Sequence, residues 1–299
     1  GWMTDHNGEL RVAFAVVEGV NSSILYRDNE KEPFREILKT TFKENMSPQF
    51  FTFDNKKLYA VSNLGRDKTA AVIFNPETSK EDTILYENQD FDVDQLVYSR
   101  ARKTLLAARY TSWKRERFFF DSEFKAMLGD LEARLGDIEF GLVSSNKAED
   151  KYLVLAHSDK IRGIYYLYDK AAGTLEKVAD AAPWLDPQEM ATMDPVEYTS
   201  RDGFTIHGYL TLPKGYTMET AKKLPVVVNP HGGPWARDQW GFNPEVQFLA
   251  NRGYAVFQMN FRGSTGYGRK FWEASFKQWG GAMQDDITDG VNWLIEKGI

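Results

Sequence analysis

Two short segments in the last third of the chain carry residue types and spacings that could do chemistry. The first is Pro230-His231-Gly232-Gly233-Pro234-Trp235, which follows directly on the apolar run Leu224–Asn229. Paired glycines at the end of a buried strand let the backbone approach a ligand and aim N–H groups at it, as a hole for a developing oxyanion requires. A tight turn without a ligand has the same local sequence. His231 has no carboxylate in the motif to orient it, so its expected role is a loop anchor rather than a general base. The second segment is Asn260-Phe261-Arg262-Gly263-Ser264-Thr265-Gly266-Tyr267-Gly268. A nucleophile elbow needs Gly-x-Ser-x-Gly, and here Arg262 stands two residues before Ser264, so Ser264 reads as a decoy. Neither dinucleotide nor phosphate-loop glycine spacing occurs there.

The elements that must position these segments follow from the hydrophobic pattern. After a linker at 184–194, strands are expected at Val196–Thr199 and Thr205–Leu212 about the turn Ser200–Gly203, then at Leu224–Asn229 and Tyr254–Asn260. A helix is expected over Phe242–Arg252, with Asn243 as cap and Pro244 at its first position, and another over Ala282–Lys297. Strand, strand, helix, strand, helix is the opening of an α/β domain.

The first 183 residues speak a different language. Short alternating runs such as Leu10–Val17, Lys57–Ser62, Thr104–Tyr110 and Tyr152–His157 are strands divided by polar turns. The strong strands beginning near Leu58, Leu105 and Tyr152 are spaced 47 residues apart, with a weaker copy at Leu10. That period, with about four strands per repeat, reads as a partial β-propeller of about four blades. Asp121–Gly136 breaks it as a helical insertion.

Composition narrows the function classes. Among 299 residues, 37 Lys+Arg stand against 43 Asp+Glu, a net charge of −6 whose negative excess lies wholly before Pro195, so nucleic acid is not an expected partner. There is no cysteine, which removes disulfides, thiolate metal sites and a cysteine nucleophile, and leaves the compartment open between cytoplasm and periplasm. The histidines His6, His157, His207 and His231 lack metal-ligand spacing, so no metal and no cofactor is expected. No apolar run reaches the roughly 18 residues of a membrane span, and no membrane partner is expected.

Val228–Pro234, Tyr254–Gly268 and Asp285–Val291, in this order and spacing, resemble the prolyl oligopeptidase family, in its acylaminoacyl-peptidase and dipeptidyl-peptidase branch. The resemblance implies β-propeller blades over 1–183 followed by the N-terminal part of an α/β-hydrolase domain over 195–299. It implies a serine peptidase that cuts short peptides through an acyl-enzyme, with the N–H of Gly233 or Gly232 in the oxyanion hole. His231, Pro234, Trp235 and Arg262 are its candidates for lining the substrate cleft. Glu30, Glu32 or Glu123 for a substrate amine, and Arg109 for a carbonyl or carboxylate, have no local motif in their favour. The family's Gly-x-Ser-x-Gly-Gly elbow and the Asp and His that follow it do not occur here, so the chain is expected to be a fragment shortened at both ends and inert alone. An apolar sheet edge beside the strand leading to His231 would favour self-association. Other readings are a non-catalytic propeller interaction module and an esterase on the same fold.

Overall fold

The computed structural model describes all residues, Gly1–Ile299, and its contacts divide them into two compact units. The first holds Gly1–Phe124 together with Gly266–Glu273; the second holds Lys125–Thr265 and Ala274–Ile299.

In the first unit, β1 (Trp2–Thr4), β2 (Leu10–Val17), β3 (Asn21–Tyr26) and β4 (Arg35–Thr40) form one antiparallel meander. The next consists of β5 (Met46–Phe51), β6 (Leu58–Ser62), β7 (Ala70–Asn75) and β8 (Lys80–Tyr86). A third has three strands, β9 (Val93–Ser99), β10 (Thr104–Thr111) and β11 (Arg115–Phe119). Apolar faces bind these sheets to one another. Val12, Ile24 and Tyr26 pack with Phe51, Leu58 and Phe74, while Phe50, Val61 and Ala71 pack with Val93, Leu96 and Ala108. Arg11 is buried in the first sheet, where it pairs with Asp5 at 3.5 Å and donates to Asn55 O at 2.7 Å, so its charge is met inside the sheet layer.

Gly266–Glu273 also belongs to this unit. The Asp92 carboxylate accepts from Gly268 N at 3.0 Å, Asp67 accepts from Lys270 N at 2.7 Å, and Lys68 donates to Tyr267 O at 2.9 Å. Gly268 has φ +89°, and a Cβ there would lie 2.5 Å from Lys68 Nζ, so only glycine fits.

Helix α1 (Ser122–Leu135) begins in the first unit and continues into the second, where β12 (Glu139–Ser145), β13 (Lys151–His157), β14 (Ile164–Asp169) and β15 (Thr174–Asp180) form another four-stranded antiparallel meander. The compact units therefore do not follow the expected division at 183. The reason is a buried polar knot. Gln247 donates to Asp159 O at 2.9 Å and to Ala191 O at 2.8 Å and accepts from Ala191 N, while Asp159 accepts from Met193 N at 2.8 Å. Leaving any of these buried groups unpaired would be costly, and the knot ties the fourth meander and the 184–194 segment to the sheet that follows.

That sheet has the order β16 (Met193–Thr199), β17 (Thr205–Thr211), β19 (Ala255–Asn260), β18 (Val226–Val228), with β18 parallel to β19 and the other pairs antiparallel. Strand β18 is shorter than the Leu224–Asn229 run that announces it. Every residue of β19 is buried, because both faces are covered. On one face α2 (Pro244–Ala250), capped by the Asn243 side chain, packs Val246 against Met193, Tyr209 and Val256. On the other, Phe257 and Tyr198 meet Trp293 of α4 (Ala282–Lys297). Between α2 and α4 in chain order comes the short helix α3 (Arg269–Glu273), which belongs to the first unit. No helix is long and apolar enough to cross a membrane.

One ion cluster fixes the end of β19. The Arg262 guanidinium donates to Asp286 through Nε at 2.8 Å and Nη2 at 2.6 Å, and to both oxygens of Asp202 at 2.7 Å, above the Phe204 ring. Bidentate pairing of this kind holds geometry as well as charge. It joins the β16–β17 turn, the loop after β19 and α4. Its hydrogen bonds from Arg262 and Ser200 hold the Asp202 carboxyl down at about 2, against an ordinary value of 3.8.

A Cβ at Gly290 would lie 2.7 Å from Phe257 and 2.8 Å from Tyr198, whereas Gly129 on α1 faces open space. Gly290→Ala should cost about 1–3 kcal/mol in a denaturant titration, and Gly129→Ala should add about 0.5–1 kcal/mol. Asp286→Asn, which breaks the buried pair with Arg262, should cost about 3–5 kcal/mol. Because the Asp202 value is depressed on folding, its contribution is full above the ordinary carboxylate range and is lost as pH falls toward about 2. Acid melts should show Asp202→Asn flattening that limb.

Candidate active site

The chain leaves β18 with Asn229 N–H still donating to Phe257 O at 2.8 Å, and then turns through Pro230–Pro234 at the sheet's end. His231 lies flat on Phe261, with ring centroids 4.6 Å apart and planes 13° from parallel. Its Nε2 stands 2.8 Å from Ser264 Oγ and its Nδ1 2.9 Å from Gly232 O. A carbonyl can only accept, so Nδ1 carries the proton that fixes the Gly232–Gly233 peptide plane. In a trans peptide the N–H points opposite to the C=O, so the Gly233 N–H is turned away from the imidazole.

The two glycines are exposed, and neither N–H donates to an acceptor of the chain. Gly233 has φ +132°, and a Cβ on it would sit 2.8 Å from Trp235 N; at Gly232 a Cβ meets nothing. Glycine is thus obligatory at 233 for backbone reasons and optional at 232. The Gly233–Pro234 peptide is cis.

The other side of the glycine pair is pinned as well. Ala236 O accepts from Thr265 N at 2.9 Å. Asp238 N donates to Asn260 Oδ1 at 2.8 Å, Asn260 Nδ2 donates to Asp238 O at 3.2 Å, and Gln258 Nε2 donates to Asp238 Oδ1 at 2.8 Å. Trp235, 53% exposed, donates its indole N–H to Ser275 Oγ at 3.3 Å and tilts against Phe276. Trp240 turns away to donate to Met193 O at 2.9 Å. The loop is held from His231 to Asp238 with two free N–H groups in the middle, an arrangement able to stabilise negative charge developing on an oxygen.

Ser264 is completely buried, and its hydroxyl donates to Phe261 O at 2.7 Å. With Nδ1 protonated, Nε2 accepts from Ser264, whose one proton is shared between the imidazole and the Phe261 carbonyl, and Nδ1 faces a carbonyl rather than the carboxylate that base activation of a serine requires. Arg262, offered by the sequence as a cleft residue, is 4% exposed and saturated by Asp202 and Asp286, so its side chain holds the loop from below. Of the expected cleft residues, the structure brings His231, Pro234 and Trp235 to the glycine pair. The remaining candidates are engaged where they stand: Glu30 accepts from Leu10 N at 2.9 Å, Glu32 from Asn29 at 3.3 Å and Glu123 from Arg102 at 3.0 Å, and Arg109 donates to Gln95 at 2.9 Å.

Asp238, Gln258 and Asn260 are the site residues that sequence reasoning missed. The signal was present. Two amides two residues apart in an otherwise apolar, fully buried strand share one face and need partners there.

Residues 240–299 match the prolyl oligopeptidase family. Over 273 residues, 89% of this chain and 38% of the relative, it is 37% identical to dipeptidyl aminopeptidase BIII of Pseudoxanthomonas mexicana. Over 322 residues, 98% of this chain and 44% of the relative, it is 29% identical to dipeptidyl peptidase family member 6 of Caenorhabditis elegans. A puromycin hydrolase structure superposes on 100% of this chain and 46% of its own with a TM-score of 0.73 at 18% identity, and the acylaminoacyl peptidase of Pyrococcus horikoshii on 99% and 45% with a TM-score of 0.63 at 15% identity. The chain thus spans less than half the length of each of these proteins. Motif, sequence match and fold agree, and the chain belongs to the prolyl oligopeptidase family.

Proposed function

We propose that this chain is part of a serine peptidase acting on short peptides through an acyl-enzyme, and that the N–H groups of Gly233 and Gly232 supply one side of its oxyanion hole. In this reading the four meanders of residues 1–183 are blades of a β-propeller, and 195–299 are the first strands and helices of an α/β-hydrolase domain. The observation that carries it is the glycine pair, whose N–H groups lack acceptors while the loop on either side is fixed. Free donors on a preorganised loop cost no reorganisation when the carbonyl oxygen of a peptide becomes an oxyanion, and one such donor is worth about 3 kcal/mol of transition-state stabilisation.

The strand order β16-β17-β19-β18, with β18 parallel to β19, suits this assignment, since the loop after β18 then opens at the carboxyl end of a parallel pair, where open α/β sheets bind ligands. The relatives named for dipeptidyl-peptidase activity support a substrate read from its amino end. Trp235, held by Ser275 and half exposed, offers an apolar wall beside the glycines for a substrate side chain. His231 acts as the anchor of the loop. The nucleophile is a serine on a Gly-x-Ser-x-Gly elbow, a pattern absent from these 299 residues.

A fluorophosphonate, which adds covalently to activated serines, tests the reading on the protein purified from its source. One adduct on a serine other than Ser264 is expected; an adduct on Ser264, or none, contradicts it. The glycines separate from each other by substitution. Gly233→Ala should lower kcat on a chromogenic dipeptide amide by roughly a hundredfold or more through displacement of the donor, and Gly232→Ala should stay within about tenfold of the parent. Equal losses in both variants would count against Gly233 as the main donor.

A further inference from the structure

The clamp at Asp238 has two atoms unaccounted for. Asp238 Oδ1 accepts from Gln258 Nε2, but Asp238 Oδ2 and Gln258 Oε1 are both buried and receive no hydrogen bond. Gln258 is 3% exposed, so its amide oxygen cannot turn to water. Both orphans are oxygens. An ionised carboxylate would leave each without a donor and set its charge against the amide dipole. A single proton on Oδ2 makes one of them a donor and the other its acceptor.

We propose that Asp238 and Gln258 form a neutral acid–amide pair, and that these two are positioning residues which hold the loop bearing the Gly232 and Gly233 N–H groups against β19. The inference rests on the oxyanion-hole reading for its link to catalysis, but not for the existence of the pair. The amide donates to Oδ1, the acid proton on Oδ2 is directed to Oε1, and the Asn260 side chain closes the main chain of the same residue on both its N–H and its C=O. The groups facing Asp238 are His231 and Arg237 from its own loop, which favour the ionised form, and the Tyr209 phenol from β17. Burial outweighs them and pushes the carboxyl above the ordinary carboxylate range, in spite of the bond from Gln258. The sense of the pH dependence follows. A carboxyl raised on folding is stabilising while protonated, and that contribution is lost as pH rises through its folded value.

Asp238→Asn reproduces the acid form, one hydrogen bond accepted and one donated, whereas Asp238→Ala removes both. The full-length protein and the two variants are compared by amide exchange over residues 229–240 and by difference infrared spectroscopy at about pH 7. The proposal expects a protonated-carboxyl carbonyl band in the parent that disappears in Asp238→Asn, exchange in Asp238→Asn within about twofold of the parent, and exchange in Asp238→Ala faster by about tenfold or more. It is overturned if the infrared difference lacks that band, or if Asp238→Asn exchanges as fast as Asp238→Ala. On a chromogenic dipeptide amide, Asp238→Ala should lower kcat about tenfold with KM little changed, and Asp238→Asn should restore it. A parent without peptidase activity would defeat the functional reading alone, since exchange and infrared spectra still decide the pair.

Discussion

An N–H that donates to nothing keeps its direction only if the peptides on either side are held by something else, and that constraint organises the second unit. The N–H groups of Gly232 and Gly233 donate to no acceptor of the chain. His231 stacks on Phe261 and reaches Ser264 on one flank, while Ala236 and Asp238 are bound to Thr265, Asn260 and Gln258 on the other. All of these partners lie in β19 or within five residues of its end. The fully buried strand is therefore the rail on which the loop is mounted, and the reason it must be buried on both faces is that α2 and α4 cover it.

The rail is fixed in turn by charge. Directly past β19, Arg262 is taken by Asp286 of α4 and Asp202 of the β16–β17 turn, and its main-chain N–H also donates to Asp286 at 2.8 Å. Burying a guanidinium is expensive unless every donor direction is met, and a half-met cluster would be worse than none. The cluster therefore tolerates one arrangement of three chain segments, and that arrangement sets where Ser264 and Thr265 stand. Residues that resemble catalytic groups, a histidine, a serine and an arginine, thus hold in place the glycine pair proposed to receive the oxyanion.

Much of this was legible in the sequence, for identifiable reasons. The turn period of the first 183 residues and the alternation of β2, β6, β10 and β13 depend only on neighbours along the chain. Asn243 and Pro244 at the start of α2 and Gly298 after α4 are equally local signals. The outer strands β4 and β15 carry a weaker signal, because Arg35-Glu36 and Glu176-Lys177 are the charged residues that exposed edges carry. What stayed hidden was set by partners far apart in the chain. Arg262 meets Asp202 across 60 residues, Asp159 and Gln247 meet across 88, and Gly268 meets Asp92 across 176. No local pattern announces such pairs. For that reason the partners of Arg262 and the place of Asp238 beside the glycine loop could not be read from the chain alone.

The central claim is that the glycine pair receives the oxyanion, and the most direct test is a crystal structure of the source protein with a peptide boronic acid bound covalently to its serine. A boronate oxygen within about 3.1 Å of Gly233 N or Gly232 N, with the loop unmoved from its position here, is the result this account predicts. A boronate whose oxygens find their donors elsewhere, with both glycine N–H groups facing solvent, would contradict it.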